Sequence, residues 1–151
     1  MVRKKVVRLF FTVDDNYIPF LSTTIASIVA HASDDYKYCL TIIHDGLSME
    51  SKKAVRKFQD NKKIFVSFFN VTVKVHSLSV KLDVRDYYTI TTYYRLFLPD
   101  LFPTFSKGLY LDSDIVLCDD VAKLYFTDLG DNLVGAVPDA SVQLFSEFSN
   151  Y

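Results

Sequence analysis

The chain alternates between short apolar runs and segments whose apolar residues recur every three or four positions. Val6 to Val13 is the first run, apolar at all but Arg8 and Thr12. Near-continuous apolar character is the pattern of a central parallel strand covered on both faces. It ends in Asp14-Asp15-Asn16, and a helical pattern begins near Pro19, with Leu21, Ile25, Ile28 and Val29 on one face. Asp34 and Asp35 interrupt it. Tyr38 to His44 reads as the second strand, closed by Asp45-Gly46. Ser48 is placed to cap a second helix with Glu50 in its first turn. Ala54, Val55 and Phe58 would face the sheet, and Asn61, Lys62 and Lys63 would end that helix. Ile64 to Asn70 is the third strand. This βαβαβ order predicts parallel strands joined by right-handed crossovers.

Beyond Asn70 the pattern is less regular. Val71, Val73 and Val75 alternate, as in an edge or ancillary strand. Thr89 to Leu98 suggests a short helix, with Pro99 ending it or following its end. The string GLYLDSDIVL holds a fourth strand at Gly108–Leu111, and Leu133 to Val137 reads as a fifth, ended by Pro138-Asp139. The expected fold is α/β: a Rossmann-like three-layer sandwich around a mostly parallel sheet, forming one domain across residues 1–151. No internal repeat or linker divides it.

Composition narrows the classes of function. Half of the 151 residues are apolar, enough for a real core. Lys and Arg number 17 against 18 Asp and Glu, so no broad positive face is available for nucleic acid. Lys52, Lys53, Arg56 and Lys57 read as the wet side of a helix. Cys39 and Cys118 are expected to be buried free thiols, which suggests a reducing, cytoplasmic setting. The apolar stretch after Lys5 is too short for a transmembrane span, which needs roughly 20 residues. Peripheral contact with a membrane stays open.

In an open parallel sheet, ligands bind at the carboxyl ends of the strands. The acidic clusters fall there: Asp14 and Asn16 after the first strand, Asp112 and Asp114 at the fourth, Asp139 after the fifth. In an extended segment, side chains at i and i+2 point the same way, so Asp112 and Asp114 can reach one site. Two neighbouring carboxylates repel unless a proton or a cation joins them. A hard divalent ion completed by phosphate oxygens resolves that conflict. The plain alternative is a pair of exposed acids ending a strand, with Asp119 and Asp120 marking more surface. A phosphatase with Asp112 as nucleophile is a further alternative, but that pattern stands near the start of its fold and continues with Gly-Thr or Thr. Here Ile115-Val116 follows, after three earlier strands. No G-x-G-x-x-G follows the first strand, so a nucleotide would be held by side chains and other backbone groups. Asp14 could accept hydrogen bonds from a base or ribose, and Asn16 could both donate and accept. Either could equally cap a turn or helix.

The strings FFTVDDNY, TITTYYRLFLPDLF, KGLYLDSDIVL and DLGDNLVGAVPD, in this order, resemble the retaining glycosyltransferases of family 8. That family includes glycogenin and bacterial lipopolysaccharide galactosyl- and glucosyltransferases. The resemblance runs from Val6 to about Ser141. It implies a glycosyltransferase-A fold, a UDP-sugar donor and usually Mn²⁺, with Mg²⁺ as the alternative. By resemblance, Asp14, Asn16 and Tyr17 lie beside the uracil, and Asp112 and Asp114 bind the metal, ribose and diphosphate. Arg95 lies near the donor sugar and the acidic pair, and Asp139 close to the transferred sugar. The implied reaction moves a hexose, glucose or galactose, to a glycan or lipopolysaccharide acceptor with retention of configuration.

One departure stands out. In the family, later sequence supplies a histidine as third metal ligand and a lysine for the diphosphate. None of His31, His44 and His76 lies in the corresponding H-x-x-G-x-x-K context. The chain is therefore expected to be the donor-binding portion of a longer enzyme, inactive alone and prone to self-associate as a dimer through exposed apolar surface. The competing reading is a non-catalytic module that binds a sugar nucleotide or a protein. Thr91 and Thr92 read as helix hydroxyls bonding their own backbone. Tyr87, Tyr88, Tyr93 and Tyr94 suit either carbohydrate stacking or the core.

Overall fold

A computed structural model of the chain describes residues 4–72 and 93–138. Four strands, β1 (Lys5–Thr12), β2 (Tyr36–His44), β3 (Ile64–Asn70) and β4 (Leu109–Tyr110), form one sheet in the order β3-β2-β1-β4. All neighbours are parallel, with Leu9 opposite Leu40 on one side and Leu109 on the other. The strands expected at Val6–Val13, Tyr38–His44, Ile64–Asn70 and Gly108–Leu111 thus share one sheet.

Alternation along β1 sorts its side chains between two cores. Val7, Leu9 and Phe11, with Val13 just past the strand, pack against Leu21, Ile25 and Ile28 of helix α1 (Ile18–His31) and Val55 of helix α2 (Met49–Arg56). Phe10 lies on the opposite face with Ile43, Val71, Tyr94 and Leu101. That second layer comes from a 3₁₀ turn at Tyr94–Phe97 and a short helix, α3 (Leu98–Leu101). A fourth helix, α4 (Ala122–Tyr125), returns to the first face, where Val121, Ala122 and Tyr125 are buried. Helices thus cover both sides of the sheet, the three-layer arrangement expected for parallel strands.

Local chemistry accounts for the element ends. Ser48 caps α2 by accepting the Ser51 amide at 3.2 Å. That helix stops at Arg56, earlier than Asn61–Lys63. Asp60 then accepts the amides of Lys62, Lys63 and Ile64 at 2.8–2.9 Å and turns the chain into β3. Pro99 belongs to the first turn of α3 and does not end a helix; its missing N–H is harmless there. Gly108 leaves room for the Phe10 ring, which a Cβ 2.5 Å away would force to shift.

Three further expectations are corrected. The Leu133–Val137 segment forms no strand and lies exposed, with Leu133 98% accessible, because no neighbouring strand accepts its backbone among the described residues. The fourth strand is only two residues long and leaves the sheet before the acidic pair. Cys118 is exposed and Cys39 half-buried; both are free thiols, but neither is a core residue. The alternation at Val73 and Val75 falls outside the described residues, whereas Val71 is fully buried.

Candidate functional site

Because the strands are parallel, their carboxyl ends share one edge. Asp14 follows β1, Asp45 follows β2 and Asp112 follows β4, so acids from three strands collect along one rim. Asp139 lies outside the described residues, as do Thr91, Thr92, Tyr87, Tyr88 and His76.

The turn after β1 is organised by its own carboxylates. Asp14 accepts the amides of Asn16 at 2.9 Å and Tyr17 at 3.2 Å, capping a 3₁₀ turn at Asp15–Tyr17. Asp15 accepts both the amide and the hydroxyl of Ser48 at 3.1 Å, tying this turn to the start of α2. The Ser51 hydroxyl first, and then the Ser48 amide, hold the Asp15 carboxyl below the usual range. Asn16 and Tyr17 are exposed on the rim, with the Tyr17 ring 5.5 Å from that of Phe20. The structure therefore makes Asp14 a cap and places Asn16 and Tyr17 beside it.

The turn after β4 is built differently. Asp112 and Asp114 are exposed, whereas Ser113 between them is 7% accessible. The alternation expected of an extended segment persists here, although Ser113 and Asp114 lie in a turn outside the sheet. Arg95, from the 3₁₀ turn on the second face, puts Nη2 3.3 Å from Asp112 Oδ1. Its guanidinium lies over the Tyr110 ring, 4.7 Å from the centroid. The Tyr110 hydroxyl pairs with the Thr12 hydroxyl at 2.8 Å. Burial raises the Tyr110 pKa, so this phenol stays protonated at neutral pH. β1, β4 and the second layer thus position Arg95 beside Asp112.

Two residues near the rim have other roles. His44 is 2% accessible, and its Nδ1 accepts the Leu47 amide at 3.1 Å, which places the ring proton on Nε2. Burial, aided by Lys52, pushes its pKa down. Tyr94 is a core residue, 3% accessible, with its hydroxyl on Asp45 at 3.3 Å. Its pKa is pushed up to about 12, by burial first and then by Asp45.

Sequence reasoning missed the residues that hold the acidic turn from behind. Thr24 Oγ1 lies 2.9 Å from the Ser113 carbonyl oxygen and 2.7 Å from that of Ile115. Ser27 Oγ accepts the Leu117 amide at 3.0 Å. The available signal was a hydroxyl at position 24 amid the apolar stripe of Leu21, Ile25 and Ile28, where a polar group must find a partner.

Among the described residues, no group of three or more His, Cys, Asp or Glu side chains is arranged to hold a metal ion. The exposed rim carboxylates of Asp112 and Asp114 are hard oxygen donors of the kind that Mn²⁺ or Mg²⁺ accepts, and two such side chains could supply only part of a coordination shell.

An open parallel sheet with acids along its carboxyl edge is a ligand-binding α/β architecture, and solved structures specify its type. The bifunctional glycosyltransferase WbbM in its apo form superposes with a TM-score of 0.81 at 29% identity, covering 99% of this chain and 26% of that one. The galactosyltransferase LgtC, solved with donor and acceptor sugar analogues, gives 0.70 at 31% identity, covering 91% and 48%. The fold is of the glycosyltransferase-A type. General stress protein A of Bacillus subtilis (strain 168) is 24% identical over 142 residues, 93% of this chain and 49% of its own length. Residues 8–151 match the family model described as Glycosyl transferase family 8, and the chain belongs to that family. It spans about half the length of General stress protein A and LgtC.

Proposed function

We propose that this chain carries the donor site of a retaining glycosyltransferase that moves a hexose from a UDP-sugar to a glycan or lipopolysaccharide acceptor. The observation that carries the reading is the exposed Asp112 and Asp114 pair at the carboxyl edge, with Arg95 3.3 Å from Asp112, in a chain of this family. The two carboxylates would hold Mn²⁺ or Mg²⁺ against the diphosphate; when bound, that ion neutralises charge on the leaving nucleotide. Arg95, braced by Tyr110, orients Asp112 and sets a positive charge beside the place proposed for the donor sugar and phosphate. Asn16 and Tyr17 border the nucleoside side of the rim, Tyr17 as a stacking surface and Asn16 as a donor and acceptor. Asp14 keeps that turn in shape through its two amide bonds. Asp139 is assigned to the transferred sugar.

Calorimetry of Mn²⁺ with UDP tests this. Asp112→Asn and Asp114→Asn keep side-chain size while removing one charge each. Each is expected to weaken binding by about tenfold or more, since a metal-bound carboxylate is a charge-assisted ligand. Equal affinity in both variants and the parent chain would overturn the site.

No helix among the described residues is long and apolar enough to cross a membrane.

A further inference from the structure

Helix α1 carries three consecutive hydroxyl residues with different fates. Ser22 Oγ donates to the Ile18 carbonyl at 2.8 Å and Thr23 Oγ1 to the Pro19 carbonyl at 3.3 Å, the ordinary i−4 bonds of hydroxyls within a helix. Thr24 turns away from its own helix. Fully buried, it faces two carbonyls 89 and 91 residues later in the chain, those of Ser113 and Ile115. One hydroxyl carries one proton, so both carbonyls converge on a single donor. Asp114 sits between them. Ser27, one turn on, donates to the Thr24 carbonyl at 2.7 Å and accepts the Leu117 amide at 3.0 Å.

We infer that Thr24, backed by Ser27, is a positioning residue that fixes the backbone on both sides of Asp114 so that the Asp112 and Asp114 carboxylates are presented together on the rim. β4 ends at Tyr110, and the last ladder-like bond is Leu111 N–H to the Phe10 carbonyl at 3.1 Å. Past that point the sheet no longer orients the chain. Hydroxyls from α1 replace the missing strand partner, and they do so from the buried side, leaving the opposite side of the turn to ligand. Exposed carboxylates one residue apart on an unheld loop would sample many separations. A shared cation needs one separation, and pre-setting it removes an ordering cost from binding.

The inference rests on the donor-site reading for its purpose, but the clamp can be measured without ligand. Residue-resolved hydrogen exchange of the Leu117 amide is compared in the parent chain, Thr24→Val, Thr24→Ser and the control Thr23→Val, alongside Mn²⁺–UDP calorimetry. Thr24→Val is expected to speed exchange at Leu117 about tenfold relative to amides of β1, consistent with loss of a local restraint. Affinity should fall in parallel, with Thr24→Ser restoring both and Thr23→Val changing neither. If Thr24→Val does not fold, Ser27→Ala, which removes the acceptor of the Leu117 amide and the Ser27 bond to the Thr24 carbonyl but leaves the Thr24 hydroxyl in place, is read in the same way. Unchanged exchange overturns the clamp. Faster exchange with unchanged affinity overturns its positioning role. A parent chain without Mn²⁺–UDP affinity refutes the donor-site reading, and with it the purpose assigned to the clamp.

Discussion

Two acidic turns stand on the same edge of the sheet and are held by opposite means. After β1, the carboxylates hold the backbone: Asp14 caps Asn16 and Tyr17, and Asp15 grips Ser48. After β4, hydroxyls from a distant helix hold the backbone, and the carboxylates of Asp112 and Asp114 face outward. Asp14 already has a structural task, with both amides on Oδ1. Asp112 and Asp114 stand exposed on a turn whose backbone other groups support, with Arg95 on Asp112. Proximity to a strand end is shared by both turns, so it alone does not distinguish a binding acid from a capping one.

The sharpest way to break this comparison is to remove the distant support. Thr24→Val keeps side-chain volume but takes the donor from two carbonyls, at a buried position. Leaving buried acceptors unpaired should cost about 2 kcal/mol of unfolding free energy, read from urea denaturation. Asp112→Asn should cost less than about 1 kcal/mol, because its ion pair with Arg95 is largely exposed. A Thr24→Val chain as stable as Asp112→Asn would show that the second turn needs no support from α1.

Next in size is the self-capped turn. Asp14→Ala removes the acceptor of two amides and should lower stability by about 1 kcal/mol, the usual worth of a cap. Asp14→Asn retains an acceptor oxygen and should recover most of it. A loss of Mn²⁺–UDP affinity in Asp14→Asn without any loss of stability would instead give Asp14 a direct binding role.

A third test uses pH. His44 is buried and accepts an amide on Nδ1, so protonation is disfavoured in the folded chain, and its folded pKa lies below the ordinary value of 6.5. A depressed pKa contributes stability above 6.5 and loses it as pH falls through the folded value. Asp15 follows the same sign lower down, its contribution present above 3.8 and lost as acid protonates it. The urea midpoint of the parent chain should therefore begin to fall below pH 6.5, and His44→Asn, which keeps an acceptor but does not titrate, should flatten that first decline. Identical profiles would remove His44 from the account.

The smallest effect concerns association. Leu133, Val134 and Val137 are 98%, 78% and 81% accessible and close together in sequence. Apolar surface of this kind favours association. Sedimentation should show weak, concentration-dependent dimers that Leu133→Ser with Val134→Ser shifts towards monomer; a clean monomer at high concentration would contradict this.

The first seventy residues were legible because their information is local. Apolar runs marked β1, β2 and β3, a three-to-four spacing marked α1, and Ser48 marked the start of α2; these patterns arise from the geometry of single elements. The parallel order then placed Asp14 and Asp112 on one edge without further data. Leu133–Val137 has an equally good strand pattern and forms none, since a strand exists only where another strand accepts its hydrogen bonds. The length of β4 and the support of the Asp114 turn by Thr24 were decided in the same way. Each depends on groups far apart in the chain, Thr24 meeting carbonyls 89 and 91 residues later, a spacing at which the identity of the partner is set by packing. Sequence alone determined which residues carry charge and which strand ends they follow. Tertiary structure decided which of those carboxylates take backbone amides from a distant segment, as Asp15 does from Ser48, and which stand exposed beside a cation, as Asp112 does beside Arg95, because those partners are brought together only by packing.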